Sequence, residues 1–111
     1  MKISTRHLGK TTIFDLSGDI DFVNSSEVRQ SVLREIREAH TPRLVLNLRQ
    51  VRYIDSSGIA TLIEVLKDSK RLNKEFVLFG LSPAVEDVFR LTHVIRIFQV
   101  FQTEQEALGT V

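Results

Sequence analysis

The sequence predicts a single α/β domain with a mainly parallel sheet, an antiparallel hairpin at its N-terminal edge and about four flanking helices. Short apolar runs alternate along the chain with longer segments in which apolar residues recur at helical spacing. Capping residues, glycines and prolines separate the two kinds of segment, so most of them have a defined start and stop. The length of 111 residues is that of one domain with one core, and we assign residues 1–111 to a single unit.

Five segments are predicted to be strands, and only the first pair is expected to be antiparallel. The first two strands form an edge hairpin through the Leu8-Gly9-Lys10 connection, and Gly18 and Asp19 are expected to end the second. Strands joined by helices run parallel through right-handed crossovers, so their carboxyl ends meet at one rim of the sheet. The predicted strands are Lys2–His7, Thr12–Leu16, Leu44–Leu48, Phe76–Phe79 and Ile95–Phe101.

Four segments are predicted to be helices because capping residues precede them and apolar residues recur along the longer ones. The first is expected to end near His40, since Pro42 cannot continue it. The third has a serine at its cap and a proline at its first position, which is a common helix start. The predicted helices are Asn24 to about His40, about Ser57 to Leu72, Ser82 to about Thr92, and Thr103–Leu108.

The composition argues against several classes of function. The net charge is +1 with acidic and basic residues interleaved, which lacks the basic stripe of a nucleic-acid-binding protein. The chain has no cysteine, which excludes disulfides and thiolate metal sites, and no glycine-rich phosphate loop, so we expect no cofactor. No apolar run approaches the roughly 18 residues that span a bilayer, and the N-terminus lacks a signal-peptide core. We therefore expect a cytoplasmic protein without membrane insertion.

Two polar turns, Gly18–Asp21 and Asp55–Gly58, are predicted to converge at the carboxyl rim of the sheet. In the second turn, two hydroxyls and a carboxylate lie where a buried strand gives way to an amphipathic helix. A helix start offers unpaired N–H groups and the positive end of the helix dipole, so it accommodates an added phosphate. The rim is therefore the best candidate site, and its chemistry favours a reversible charge switch on a serine.

Other interpretations of these turns stay open at this stage. On four residues alone, Asp55–Gly58 is more often an ordinary helix cap, in which the glycine simply permits close packing. A nucleophilic Ser56 is disfavoured because the pattern is not Gly-x-Ser-x-Gly and nothing in the sequence nominates a base. Asp19, Asp21 and Asp55 are too few ligands for a cation. We therefore predict no catalytic residue and no metal site.

Apolar residues accompany both turns, among them Phe22 and Val23 beside the first. Such a cluster around a switchable serine would suit a transient protein interface. The residues that we predict to bind a partner are Asp19, Ile20, Asp21, Phe22, Ile59 and Ala60.

Three motifs together resemble the bacterial anti-sigma factor antagonists, which are STAS-domain proteins. Residues 16–21, Leu-Ser-Gly-Asp-Ile-Asp, are similar to the Leu-Thr-Gly-Glu-Leu-Asp turn of that family. Residues 44–48, Val51 and residues 54–59, Ile-Asp-Ser-Ser-Gly-Ile, are similar to its strand and phosphorylation loop. Residues 81–85, Leu-Ser-Pro-Ala-Val, match a third landmark. The similarity runs from about residue 10 to 108, and the Asp-Ser-Ser-Gly turn is its most specific part.

The resemblance implies a partner-switching cycle. The unphosphorylated antagonist binds an anti-sigma factor that is also a serine kinase, which frees a sigma factor. The kinase then phosphorylates the serine after the motif aspartate, here Ser56, and a serine phosphatase reverses the reaction. We also expect the free protein to be a monomer. Two alternatives within the family stay open, namely a stressosome-like scaffold and a regulatory subunit of a transporter or lipid-export complex.

The resemblance also assigns supporting roles around the phosphorylation site. Asp21 is expected to assist kinase recognition or the geometry of phosphate transfer, and Asp55 to position the loop. Ser57 is expected to cap the helix or to form a hydrogen bond beside Ser56. Gly58 completes the motif.

Overall fold

The structure, a computed structural model, describes residues 1–38 and 41–109 as a five-stranded sheet with helices on both faces. This architecture confirms the predicted fold. The strands are β1 (Lys2–Leu8), β2 (Thr11–Ile20), β3 (Arg43–Ile54), β4 (Glu75–Phe79) and β5 (Gln99–Phe101). The helices are α1 (Ser25–Glu38), α2 (Ser56–Arg71), α3 (Pro83–Leu91) and α4 (Glu104–Leu108), with a 3-10 turn at Val94–Arg96. The predicted end of the first helix near His40 lies outside the described residues.

The strands follow one another across the sheet in chain order. β1 pairs with β2 in the antiparallel sense, and every later pairing is parallel, as predicted. Parallel neighbours joined by α1, α2 and α3 place the ends of β2, β3 and β4 on the same side of the sheet. The topology therefore brings the segments that follow these strands to one rim.

β2 and β3 both continue further than the sequence predicts. Gly18 and Asp19 do not end β2, which stays paired with β3 as far as Ile20 and Ile54. Two register shifts, one between Asp15 and Ser17 and one at Gly18, bend β2 without ending it. Gly18 has a φ of 119°, a conformation that favours glycine. The predicted stop is wrong because this glycine allows an irregularity within the strand.

The last strand is shorter than predicted. The chain turns at His93, whose φ is 63°, and forms the 3-10 turn before the three residues of β5. Phe98 lies between the turn and the strand, and its ring packs against Phe89 with a centroid distance of 5.6 Å. The apolar residues that suggested a strand from Ile95 therefore include a buried anchor for the turn.

The sheet has a different core on each face. Adjacent residues of the central strand alternate between them, so Leu46 packs under α1, α2 and α3 while Val45 packs under α4. This alternation confirms that β3 is a central strand covered on both sides. The smaller core contains Ile13, Val45, Val77, Phe79 and Ala107.

An ionic network fastens the short helix α4 to the sheet. The Arg6 guanidinium donates to Asp15 on β2, with an Nε–Oδ2 distance of 2.6 Å, and to Glu104 on α4, with an Nη2–Oε1 distance of 2.6 Å. Asn47 on β3 donates to the same Asp15 carboxylate at 2.8 Å. The network therefore links three strands to α4, the helix that covers the smaller core. This helix begins with a capping box formed by Thr103 and Glu106.

We predict that this network makes the stability of the fold acid-sensitive. The hydrogen bond from Arg6, aided by Asn47 and opposed by partial burial, lowers the pKa of the Asp15 carboxyl. Because the folded-state pKa is the lower one, the ionised carboxylate stabilises the fold above the unfolded pKa of about 4, and this contribution disappears as the pH falls through the folded value. Urea denaturation from neutral to acid pH should show that Asp15→Asn is less stable than the wild type near neutrality and that its stability depends less on pH. Asp87→Asn removes an exposed carboxylate from α3 and is the control; the same pH dependence in both variants would contradict the prediction.

Candidate functional site

The two polar turns meet at the carboxyl rim of the sheet, as predicted. Ile20 and Ile54 are paired at the ends of β2 and β3, so the turns that follow them start side by side. The Asp55 N–H donates to the Ile20 carbonyl at 3.3 Å and extends the contact by one residue. The first turn leads into α1, and the second leads directly into α2.

The carboxylate of Asp55 connects the two turns. Its Oδ1 accepts the N–H groups of Ser57 at 2.9 Å and Gly58 at 3.1 Å, which caps the first turn of α2. Its Oδ2 accepts the N–H of Phe22 from the other turn at 3.1 Å. One side chain thus satisfies three backbone donors on two segments that are 33 residues apart.

Gly58 allows the start of α2 to lie directly on the end of β2. A Cβ atom at this position would be 2.3 Å from the Ile20 carbonyl oxygen and 2.6 Å from Cγ1 of Ile54. Real side chains do not approach that closely, so a larger residue would force the helix away from the strand. The packing role that the sequence left open for this glycine is its role in the structure.

The first turn is closed by hydrogen bonds at its base. Asp21 accepts the N–H of Asn24 on its Oδ1 at 2.9 Å, and its carbonyl accepts the N–H of Ser25 at 2.8 Å. The Asn24 side chain donates to the Asp19 carbonyl at 3.0 Å. The tip of the turn, which we call the Phe22–Val23 tip, projects two apolar side chains that are 80% and 78% exposed.

Ser56 and Ser57 differ in exposure. Ser56 is the first residue of α2, its side chain is exposed, and its hydroxyl has no hydrogen bond to residues 1–38 or 41–109. Ser57 is half-buried and donates its backbone N–H to Asp55. The cap is therefore Asp55 rather than a serine hydroxyl. Asp55 also occupies two N–H groups that the sequence suggested would be free for a phosphate.

The predicted partner-binding residues divide into exposed and buried ones. Phe22 and Ala60 are exposed, and Asp19 and Asp21 are half-buried. Ile20 is fully buried and Ile59 is 6% exposed, so the prediction that their side chains bind a partner is wrong. Both are core residues, because β2 continues to Ile20 and the first turn of α2 packs on it.

One exposed residue near the rim was missed by the sequence-based reasoning. Tyr53 precedes the buried Ile54 on β3 and is 50% exposed. The alternation of strand residues could have identified it, had β3 been predicted to continue this far. It lies opposite Asp19 in the register of the sheet, and the Asp19 carboxylate is 3.6 Å from the guanidinium of Arg52.

The described residues form neither a metal-binding cluster nor a helix able to span a membrane. Within residues 1–38 and 41–109, no three His, Cys, Asp or Glu side chains are grouped so that they could hold a metal ion. No helix in the same ranges is long and apolar enough to cross a bilayer.

A family model of the STAS domain matches residues 2–107 of the chain. The protein belongs to the STAS domain family. Among its relatives, the anti-sigma-B factor antagonist of Listeria monocytogenes is 27% identical over 110 residues, which cover 98% of this chain and 94% of the relative. The resemblance noted in the sequence is thus confirmed at the level of the family.

Solved structures of STAS relatives share the fold. An anti-sigma factor antagonist from Mycobacterium paratuberculosis matches with a TM-score of 0.90 at 22% identity, over 99% of this chain and 92% of that one. SpoIIAA matches in its unphosphorylated form with a TM-score of 0.75, over 97% of this chain and 96% of that one. The phosphorylated form of SpoIIAA from Bacillus gives 0.74, over 97% of both chains, and both forms are 18% identical to this chain.

We predict that Gly58→Ala destabilises the STAS fold. In an ordinary helix, replacing glycine with alanine stabilises by about 1 kcal/mol. Here the new methyl group overlaps the Ile20 carbonyl, so we expect a loss of about 1–3 kcal/mol in the free energy of unfolding. Chemical denaturation measures the sign directly, with Ser57→Ala in the same turn as the control. A variant as stable as the wild type would show that α2 does not rest on β2.

Proposed function

We propose that this STAS protein is an anti-sigma factor antagonist controlled by phosphorylation of Ser56. In its unphosphorylated form it binds an anti-sigma factor that is also a serine kinase, and so releases a sigma factor. The kinase inactivates it by phosphorylating Ser56, and a serine phosphatase restores it. The observation that carries the proposal is an exposed serine hydroxyl on the same rim as the exposed Phe22–Val23 tip. The names of its relatives, and the phosphorylated form of SpoIIAA, support it.

The exposure of Ser56 suits a kinase substrate. A kinase must bring the hydroxyl to the γ-phosphate of ATP, which requires a side chain that projects from the surface. Ser56 is exposed, whereas Ser57 is half-buried. We therefore assign the phosphate to Ser56.

The fold is expected to tolerate a phosphate at this position. The Ser56 hydroxyl has no hydrogen bond to the described residues, so its modification breaks no such contact. The N-terminus of a helix of 16 residues also favours negative charge, by about 0.3–1 kcal/mol at an exposed position. Phosphorylation can thus change the surface while the core remains intact.

The Phe22–Val23 tip supplies the attractive part of the proposed interface. Large exposed apolar side chains gain free energy when a partner covers them, by about 1.5–3 kcal/mol for a fully buried phenylalanine. A small number of such anchors commonly provides most of the binding energy of an interface. Ala60 is also exposed, and it lies one helical turn after Ser56 on the same side of α2.

The acidic residues on the rim make the same interface sensitive to added negative charge. A phosphate brings a charge of about −1.5 to −2 next to Asp55 and near Asp21. A partner that covers the rim must desolvate this charge, which costs several kcal/mol unless it supplies a cation. Since each 1.4 kcal/mol is a factor of about ten in affinity, even a partial penalty releases the partner.

We assign a binding role rather than an enzymatic one to this site. The carboxylate beside Ser56 has both oxygens engaged as acceptors of backbone N–H groups. It is therefore poorly placed to take a proton from the hydroxyl, which a serine nucleophile would require.

Two substitutions at Ser56 should separate binding from switching. Ser56→Ala is expected to bind the kinase as the wild type does and to stay bound when ATP is added. Ser56→Asp places a permanent charge on the rim and should bind at least about tenfold more weakly. Calorimetric titration against the cognate kinase measures both. Gln105→Glu is the control, because it adds a charge on α4, which covers the opposite face of the sheet from α2. Equal affinities of the two Ser56 variants would contradict charge repulsion.

The site of phosphorylation can be tested separately. Incubation with the kinase and ATP should add one phosphate, which mass spectrometry of peptides should locate on Ser56. Ser57→Ala should still be labelled, and Ser56→Ala should not. A phosphate found on another residue would overturn the assignment.

The identity of the partner needs a separate experiment. A pull-down that recovers a transporter ATPase instead of a kinase would favour the regulatory-subunit alternative.

A further inference from the structure

We propose that Asp55 is a positioning residue for the partner-binding surface, because its second carboxylate oxygen fixes the Phe22–Val23 tip beside the start of α2. The effect on the tip is a property of the isolated chain. The consequence for partner binding rests on the proposed function.

Capping of α2 alone does not require an aspartate. Serine, threonine and asparagine cap helices about as well, with a single acceptor oxygen. The chain itself uses such caps, because the hydroxyl of Ser82 accepts the Val85 N–H of α3, and the hydroxyl of Thr103 accepts the Glu106 N–H of α4. At α2 the cap also uses one oxygen, Oδ1 of Asp55. The second oxygen is left for the N–H of Phe22, and only this contact needs a carboxylate.

The Phe22–Val23 tip depends on hydrogen bonds because it has little packing. Phe22 and Val23 are among the most exposed large apolar residues of the described chain, so burial does not define where the tip lies. Asp21 and Asn24 close the base of the turn through bonds within the turn and to Asp19. The bond from Phe22 to Asp55 is the one that joins the tip to α2, on which Ser56 lies.

An ordered tip matters for affinity. A flexible segment must be ordered when a partner binds it, and this cost is subtracted from the gain of burying its side chains. Asp55 orders the tip in advance and sets its position relative to Ser56. Loss of the Oδ2 contact should therefore weaken partner binding.

Two substitutions at Asp55 separate the two contacts. Asp55→Asn keeps one oxygen, which can cap α2, and replaces the other with an NH₂ group that cannot accept from Phe22. Amide hydrogen exchange followed by NMR should show the Phe22 amide exchanging about tenfold faster, while the Ser57 and Gly58 amides change by less than about twofold. In Asp55→Ala all of these amides should exchange faster. Unchanged exchange of the Phe22 amide in Asp55→Asn would overturn the proposal.

Asp21→Asn is the matched control for charge. It removes a carboxylate from the same rim but keeps an oxygen that can accept the Asn24 N–H, so the protection of the Phe22 amide, relative to its intrinsic exchange rate in each sequence, should stay at the wild-type value. An equal loss of protection in Asp21→Asn would assign the effect to charge rather than to the Oδ2 hydrogen bond, and the proposal would fail.

Binding to the kinase then tests the consequence. Asp55→Asn should bind about tenfold more weakly than the wild type. In a background of Phe22→Ala the same substitution should add little, because Asp55 acts through the tip. Fully additive losses would overturn the positioning role. If the Phe22 amide responds as expected but no kinase binds the wild-type chain, the proposed function fails and the role of Asp55 in the tip remains. If the kinase binds and the amide does not respond, only the positioning role fails.

Discussion

The close approach of α2 to the end of β2 is the contact on which the rest of the rim depends. Gly58 lets the helix backbone reach the Ile20 carbonyl, and the Asp55 N–H bonds to the same carbonyl. Because the helix begins there, the Asp55 carboxylate reaches both its own helix and the N–H of Phe22. A side chain at position 58 would separate the helix from the strand and weaken every contact that follows. A single glycine thus determines the geometry of a surface formed by two distant segments.

The site is separate from the ionic network that fastens α4 to the sheet. The network of Arg6, Asp15 and Glu104 links the sheet to α4, which covers one face. Ser56 begins α2, which packs on the opposite face. A charge added to Ser56 is exposed to solvent, and at physiological salt its field is screened over about 8 Å. The rim can therefore change its charge without disturbing the ion pairs that fasten α4.

Local sequence patterns predicted the sheet, the hairpin and the meeting of the two turns, because each depends on residues that are close in sequence or on general rules of parallel sheets. They failed where contacts between residues distant in the sequence decide the outcome. Gly18 has the local character of a strand stop, but continued pairing with β3 carries β2 past it. Ile20 and Ile59 flank polar turns and could face either way, and the contact between α2 and β2 buries both. The link from Asp55 to Phe22 spans 33 residues and leaves no local signal.

The arrangement of Asp55 also bears on how a phosphate would act at this helix start. Helix N-termini bind anions through several free N–H groups, and such groups would form hydrogen bonds to a phosphate and draw it towards the backbone. Here Asp55 already occupies the N–H groups of Ser57 and Gly58. A phosphate on Ser56 would then find fewer backbone donors to bind and would project into solvent, where an approaching partner meets its charge. We infer that a cap with a carboxylate suits a switch that works by repulsion, since it leaves the added charge exposed.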